Sequence, residues 1–241
     1  MYNPSFKKNR ENVPILSKPE IDSISERYAA EFMPEIIQNP QPFNIDGFVE
    51  NYLDLQLDYQ YLSNDGRYLG MTIFNDTNRV IVFLPEQKCA DYVHADEGTI
   101  IIDNSLLSGN QDHRYRFTLG HEAGHWIFHR SYFGYNPNQI TFFEMNIPFI
   151  QCREINRNYI GIDSLNWDNE RWMEWQADKF SAGILMPKSS VRALLRNCYF
   201  GDNQKIRLTS ESFNVSRQAA YLRLCDLSYI QRTNIQQLTL L

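Results

Sequence analysis

Two histidines and a glutamate in the segment His121-Glu122-Ala123-Gly124-His125 have the types and the spacing that a zinc site requires. In a helix, His121 and His125 lie one turn apart on one face, with about 6 Å between their Cβ atoms, so both imidazoles can reach one Zn²⁺ ion. Glu122 is rotated by roughly 100° from His121, which suits it to accept a proton from a metal-bound water rather than to bind the metal. The pattern therefore predicts zinc-assisted hydrolysis with Glu122 as the general base.

The alternative for the same motif is a surface helix whose histidines bind nothing. The flanking residues argue against this alternative, because they are mostly apolar and predict a largely buried helix. Burying two imidazoles and a carboxylate in such a helix costs several kcal/mol unless the groups are paired or bind a metal. The apolar flanking residues are Phe117, Leu119, Trp126, Ile127 and Phe128.

A third metal ligand is predicted in a second helix-like segment, residues 172–187. Glu174 would complete a His2Glu site with one open position, which is the arrangement of catalytic zinc sites. Asp178 lies one turn further along the same face and can accept the outer ring N–H of a ligand histidine, which fixes the tautomer of that ring. Glu170 follows the same four-residue rhythm and stays the alternative third ligand, while a solvated acidic stripe is the alternative to any site here.

Two other residues near the motif are not predicted to bind the metal. His129 continues the four-residue series, but at i+8 from His121 it is rotated by about 80°, so we expect a surface or packing histidine. Cys152 lies in the long connection 131–169 and could block the open zinc position as a thiolate. We favour a buried thiol that packs as a small apolar residue.

The order of the predicted elements indicates an α+β fold. Helices are expected at 19–38 and 44–55, followed by a small mixed or antiparallel sheet that packs on the helices bearing the HExxH motif and Glu174. Residues 1–18 have a polar composition that predicts a flexible arm. The predicted strands are 57–62, 69–74, 79–84 and 98–103, with 140–143 and 158–161 as possible short strands in the connection.

The C-terminal part of the chain, residues 189–241, reads as a short helix followed by a helix-turn-helix arrangement in which Ser216 caps the last helix. This part has seven basic and three acidic residues within a chain of net charge −6. DNA-reading modules use such geometry, but so modest a charge favours a helical subdomain that braces the domain at 19–188. The residues that would face DNA are Arg217, Gln218, Tyr221 and Arg223.

The composition of the chain predicts a folded protein and indicates its cellular compartment. A hydrophobic content of 43% can fill a core, so global disorder is not expected. Four scattered cysteines without a C-x-x-C pair, and an N-terminus without the apolar segment of a secretory signal, predict a cytoplasmic protein with reduced thiols. No stretch approaches the roughly 18 apolar residues of a transmembrane helix, so no membrane partner is expected.

Taken together, the motifs resemble those of the ImmA/IrrE family of metallopeptidases, which belongs to the thermolysin-like gluzincins. The resemblance covers His121-Glu-x-x-His125 with its lead-in at 116–119, and Glu174-x-x-Ala177-Asp178 with the Leu-Met-Pro sequence that ends at Pro187. It extends from about residue 21 to about residue 230. It implies a cytoplasmic zinc endopeptidase that cleaves a helix-turn-helix repressor and so relieves repression, in a mobile element, a phage or a stress response.

By the same resemblance, an extended substrate is expected to pair with a sheet edge formed by strand 98–103. The functional alternative is a non-cleaving regulatory protein with a structural or vestigial zinc site. Such a protein would bind DNA, or would dock a repressor in the manner of an antitoxin. Retention of Glu122 beside a ligand set with an open position favours the peptidase.

Overall fold

The computed structural model describes residues 2–134, 149–153, 168–196 and 199–232. These residues form the predicted α+β fold. The helices are α1 (Lys18–Phe32), α2 (Ile45–Gly47), α3 (Asp112–Phe133), α4 (Asn169–Leu185), α5 (Lys188–Leu195), α6 (Asp202–Phe213) and α7 (Arg217–Asp226), with 3₁₀ turns at Pro34–Ile37 and Asn104–Leu107 and a π turn at Phe48–Tyr52. The strands are β1 (Gln56–Gln60), β2 (Tyr68–Ile73), β3 (Thr77–Leu84), β4 (Cys89–Ala95), β5 (Thr99–Asp103) and β6 (Phe149–Arg153).

The two N-terminal helices follow the sequence prediction in position but not in length. The predicted helix 19–38 ends at Phe32 because Pro34 disfavours helical backbone in the residue before it, and a separate 3₁₀ turn follows. The second helix begins where predicted, since the side chain of Asn44 accepts a hydrogen bond from the main-chain N–H of Gly47.

The main sheet has the strand order β1-β5-β2-β6. Strand β5 pairs in parallel with β1 and antiparallel with β2, so the prediction that residues 98–103 form a sheet edge is wrong. All five residues of β5 are buried, and its run of three isoleucines fills the core on both faces. A continuous apolar run of this kind is typical of a central strand. Among the described strands, β1 and β6 lie at the two edges.

Strands β3 and β4 form a separate antiparallel pair. The sequence prediction missed β4 because most of its side chains are exposed and supply no hydrophobic alternation. Val80 and Val82 of β3 pack with Met71, Ile73 and Ile101 of the main sheet. The pair therefore covers the face of the sheet opposite the helices, in a small second core. The two candidate strands at 140–143 and 158–161 lie outside the described residues.

The predicted flexible arm packs against the body of the protein. The side chain of Val13 is only 2% exposed, and Phe6 makes an edge-on contact with Phe128 of α3. Lys8 donates to the hydroxyl of Ser131, at the C-terminal end of the same helix, and forms an isolated bridge with Pro14. Scattered apolar residues and main-chain bonds fix this segment, and neither produces a periodic sequence pattern.

The C-terminal helices have the predicted helix-turn-helix order. Asn214 adopts the left-handed conformation between α6 and α7, and the side chain of Ser216 caps α7 by accepting from the N–H of Ala219. Tyr221 and Arg223 are buried, so they do not face outward as the disfavoured DNA-reading alternative requires.

Apolar residues of α5, α6 and α7 belong to the same hydrophobic core as those of α1, α3 and α4. The guanidinium of Arg223 pairs with Asp22 of α1 and donates to the main-chain oxygen of Met186 at 3.0 Å. The helices after residue 188 therefore brace the first part of the chain, which is the arrangement that the sequence favoured.

We expect the substitution Arg223→Met to lower the free energy of unfolding by about 3–5 kcal/mol, because it leaves the carboxylate of Asp22 buried without its partner. The double variant Asp22→Asn with Arg223→Met should recover part of that loss, since it removes the unpaired charge. Urea unfolding followed by circular dichroism measures both. A loss below about 1 kcal/mol for the single variant would show that the buried pair does not hold α7 to α1.

Candidate metal centre

The two histidines of the motif lie inside the protein on one face of α3. His121 is 1% exposed and His125 is fully buried. Their Nε2 atoms are 2.8 Å apart, with the ring planes inclined at 68°. The i, i+4 spacing thus brings the two nitrogens together as the sequence predicts.

The third residue comes from α4, which packs closely along α3. Contact is close because Gly124 has no side chain: a Cβ atom built there would lie 3.2 Å from the Cα of Ala177 and from Phe180. Glu174 then reaches both imidazoles, with Oε2 3.3 Å from Nε2 of His121 and Oε1 3.4 Å from Nε2 of His125. Glu170, the alternative ligand, is exposed at the start of α4 and lies outside this group.

This group of one carboxylate and two imidazoles could hold a metal ion. One possible ligand atom from each residue lies within 4.8 Å of the others, and all three residues are buried. Burial disfavours the charge on Glu174, but its bonds to the two rings outweigh that effect and hold the pKa of the carboxyl well below its ordinary value. An ionised carboxylate among buried rings needs positive charge between the groups, which either protons or a metal ion can provide.

The donor set and the spacing fit zinc. Two imidazole nitrogens and one carboxylate oxygen are the ligands of catalytic zinc sites. Ligand atoms about 2.05 Å from a tetrahedral ion are roughly 3.3 Å apart. Oε2 of Glu174 lies at about this distance from Nε2 of His121, and Oε1 lies at about this distance from Nε2 of His125. The two Nε2 atoms would have to separate by about half an ångström.

Asp178 lies behind His121. Its Oδ1 is 2.9 Å from Nδ1 of that ring, one turn along α4 from Glu174. A carboxylate in this position accepts the outer N–H and leaves Nε2 without a proton, directed toward Glu174. The structure thus brings together the three predicted ligands and Asp178.

His129 makes hydrogen-bond contacts that the sequence analysis did not predict. The ring is fully buried, with Nδ1 2.9 Å from Nδ1 of His125 and Nε2 3.0 Å from Oε1 of Gln176 in α4. Burial and the neighbouring His125 hold the pKa of His129 well below its ordinary value. The i+8 argument correctly places it off the ligand face of His121. The i+4 spacing from His125 was the signal for this contact.

Glu122 is fully buried beneath β2. Its Oε2 accepts a hydrogen bond of 2.6 Å from the hydroxyl of Thr72, while Oε1 has no hydrogen-bond partner among the described residues. Gly70 makes room for this carboxylate, because a Cβ at that position would lie 2.7 Å from Oε1. Burial raises the pKa of Glu122 to about 7, although the charge of His121 and the bond from Thr72 oppose the shift.

Strand β6, which contains Cys152, lies beside β2 on the side away from β5. Cys152 is paired with Gly70 in the register of these strands. Any effect of its thiol on the zinc position therefore stays a prediction.

No protein family model matches the chain, and no curated protein matches its sequence. Within the described ranges, none of the helices is both long enough and apolar enough to span a membrane.

We expect the purified protein to bind one zinc ion per chain and to melt at a higher temperature when zinc is bound. Glu174→Gln should weaken zinc binding by more than the roughly 10–100-fold typical of losing an outer partner, because it removes the only anionic ligand. Competition against a calibrated chelator measures the dissociation constant. Glu170→Gln is the matched control on the same helix and should bind as wild type does. Wild-type affinity in Glu174→Gln would show that Glu174 is not a ligand.

Proposed function

We propose that the protein is a zinc-dependent endopeptidase that hydrolyses a peptide bond in a protein substrate. The observation that supports this most strongly is the buried carboxylate of Glu122, which has one free oxygen and lies next to a cluster with the donor set of catalytic zinc. A purely structural zinc site usually has four protein ligands. The three ligands here leave a position for water or substrate.

In the proposed reaction, His121, His125 and Glu174 hold the ion, and Asp178 fixes the orientation of His121. Zinc bound there supplies a Lewis acid that polarises the scissile carbonyl and acidifies water. Glu122 accepts a proton from the attacking water and then gives it to the amide nitrogen that leaves. Burial raises the pKa of this carboxyl, so it accepts a proton more readily than an exposed glutamate does.

Thr72 and Gly70 are proposed to keep that base in position. The hydroxyl of Thr72 occupies Oε2, which leaves Oε1 as the oxygen that exchanges protons. Gly70 gives this oxygen space that a larger residue would fill. Both residues come from the strand that packs on α3, so the sheet supports the base while the helices supply the ligands.

The substrate class that we propose is a helix-turn-helix transcriptional repressor, whose cleavage relieves repression. This part of the proposal depends on the resemblance of the two motifs to the ImmA/IrrE family. Burial of Tyr221 and Arg223 weighs against the chain acting as a DNA reader through α7, because only Arg217 and Gln218 of the four predicted residues are exposed.

A paired repressor from the neighbouring genes provides the test. We expect wild-type protein to cut it into discrete fragments seen by intact mass spectrometry, and chelated protein to leave it whole. Glu122→Gln should lower the cleavage rate by about 10²–10⁴-fold while zinc still binds, because the substitution removes the base and keeps the ligands. Glu170→Gln is the control carboxylate and should cleave at the wild-type rate.

Each failure in this test has a distinct meaning. Cleavage by Glu122→Gln at the wild-type rate would contradict the role of the base. Zinc-loaded wild-type protein that binds the repressor without cutting it would favour the non-cleaving alternative. A protein that never takes up zinc would contradict the metal site on which the proposed function depends.

A further inference from the structure

A buried chain of hydrogen bonds runs from His125 away from the metal cluster. Its first contact joins Nδ1 of His125 to Nδ1 of His129, and its second joins Nε2 of His129 to Oε1 of Gln176. In the third, Nε2 of Gln176 donates to the main-chain oxygen of Pro14 at 2.7 Å. All four residues are buried, so these groups must satisfy one another.

The far end of the chain fixes the direction of every bond. The carbonyl of Pro14 can only accept, so the NH₂ group of Gln176 must face it and Oε1 must face His129. An amide oxygen also only accepts, so Nε2 of His129 bears the hydrogen. The contact between the two Nδ1 atoms needs one hydrogen, and with Nε2 of His129 serving Gln176, Nδ1 of His129 can accept that hydrogen from Nδ1 of His125.

The consequence reaches the metal cluster. A neutral imidazole has one ring hydrogen, and that of His125 is committed to His129. Nε2 of His125 therefore presents a lone pair to a metal ion held between it and Glu174.

We infer that His129 is a positioning residue for the metal site: together with Gln176 and the main chain of Pro14, it holds His125 in the tautomer that binds metal. This inference rests on the zinc site of the proposed function and adds a second outer partner to it. Peptide hydrolysis does not enter its test.

A neutral partner for His125 also balances the buried charge. If zinc is bound, the carboxylates of Glu174 and Asp178 match its two positive charges. A carboxylate in place of His129 would add a third anion beside His125, with no further cation to balance it. The neutral ring of His129 orients His125 without the cost of burying another negative charge.

The N-terminal arm completes the chain, and its own contacts hold the acceptor in place. Oδ1 of Asn9 accepts from the N–H of Val13, beside Pro14, and the amide of Asn9 donates to Asn169 at the start of α4. Pro14 also forms the bridge with Lys8. These contacts position the main-chain oxygen of Pro14 beside Gln176.

The experiment compares two substitutions of one residue. His129→Leu fills the space but removes the acceptor, and we expect it to weaken zinc binding by about 10–100-fold in chelator competition. His129→Asn keeps an acceptor near the position of Nδ1 and should restore affinity to within about threefold of wild type, a small loss beside the 10–100-fold effect of removing an outer partner. Gln176→Leu, one link further out, should weaken binding in the same direction.

Two further measurements separate positioning from packing. Phe128→Leu removes buried contacts next to His129 without touching the hydrogen bonds, so it should lower the melting temperature and leave zinc affinity unchanged. Histidine ¹⁵N spectra of the zinc-loaded wild-type protein should show the ring hydrogen of His129 on Nε2 and that of His125 on Nδ1.

Wild-type zinc affinity in His129→Leu, or the opposite tautomers in the spectra, would overturn the role of His129 while leaving the zinc site intact. Failure of the wild-type protein itself to bind zinc would overturn both. Loss of peptide hydrolysis with zinc binding and the affinity ranking preserved would contradict the proposed function alone.

Discussion

The close contact between α3 and α4 is the constraint on which the rest of the structure depends. Gly124 lets the two helices approach so closely that a Cβ atom at this position would lie 3.2 Å from the Cα of Ala177. At that separation, a carboxylate on one helix reaches two imidazoles on the other. The same contact buries most of the polar side chains of the site, so these groups need partners within the protein or an ion.

The surrounding elements supply hydrogen-bond partners for the polar side chains of the site. Asp178 bonds to His121, Gln176 extends the contact from His129, and Thr72 of β2 bonds to Glu122. The sheet thus approaches α3 from one side while α4 packs along another. The C-terminal helices support this assembly from outside, through the ion pair between Arg223 and Asp22.

The sequence predicted the centre of the site well because its geometry is local. His121 and His125 are separated by one helical turn, as are Glu174 and Asp178, and helical periodicity alone places each pair on one face. The pairing of the two helices was inferred from chemistry: a zinc site with two histidines requires another ligand. The cap residue Ser216 was also correctly placed, since capping depends on neighbours within three residues.

The errors concern contacts between residues far apart in the chain. The central position of β5 depends on which strands lie beside it, and a run of isoleucines does not reveal its neighbours. The arm is held by a few apolar side chains and main-chain atoms, which leave no period in the sequence. Arg223 looked like a surface cation because nothing local indicates that α7 turns this side chain inward, toward Asp22.

The chain of hydrogen bonds that begins at His125 ends at an atom that does not depend on the identity of a side chain. Its last acceptor is a main-chain oxygen, and every amino acid has one. Position 14 could therefore change its side chain through evolution and still accept from Gln176, provided that the arm keeps its path. An alignment of related sequences could show conservation of His129 and Gln176, but it could not show that a main-chain oxygen at position 14 accepts the last hydrogen bond. The contribution of the arm would be visible in the path of the backbone but not in the identity of any residue.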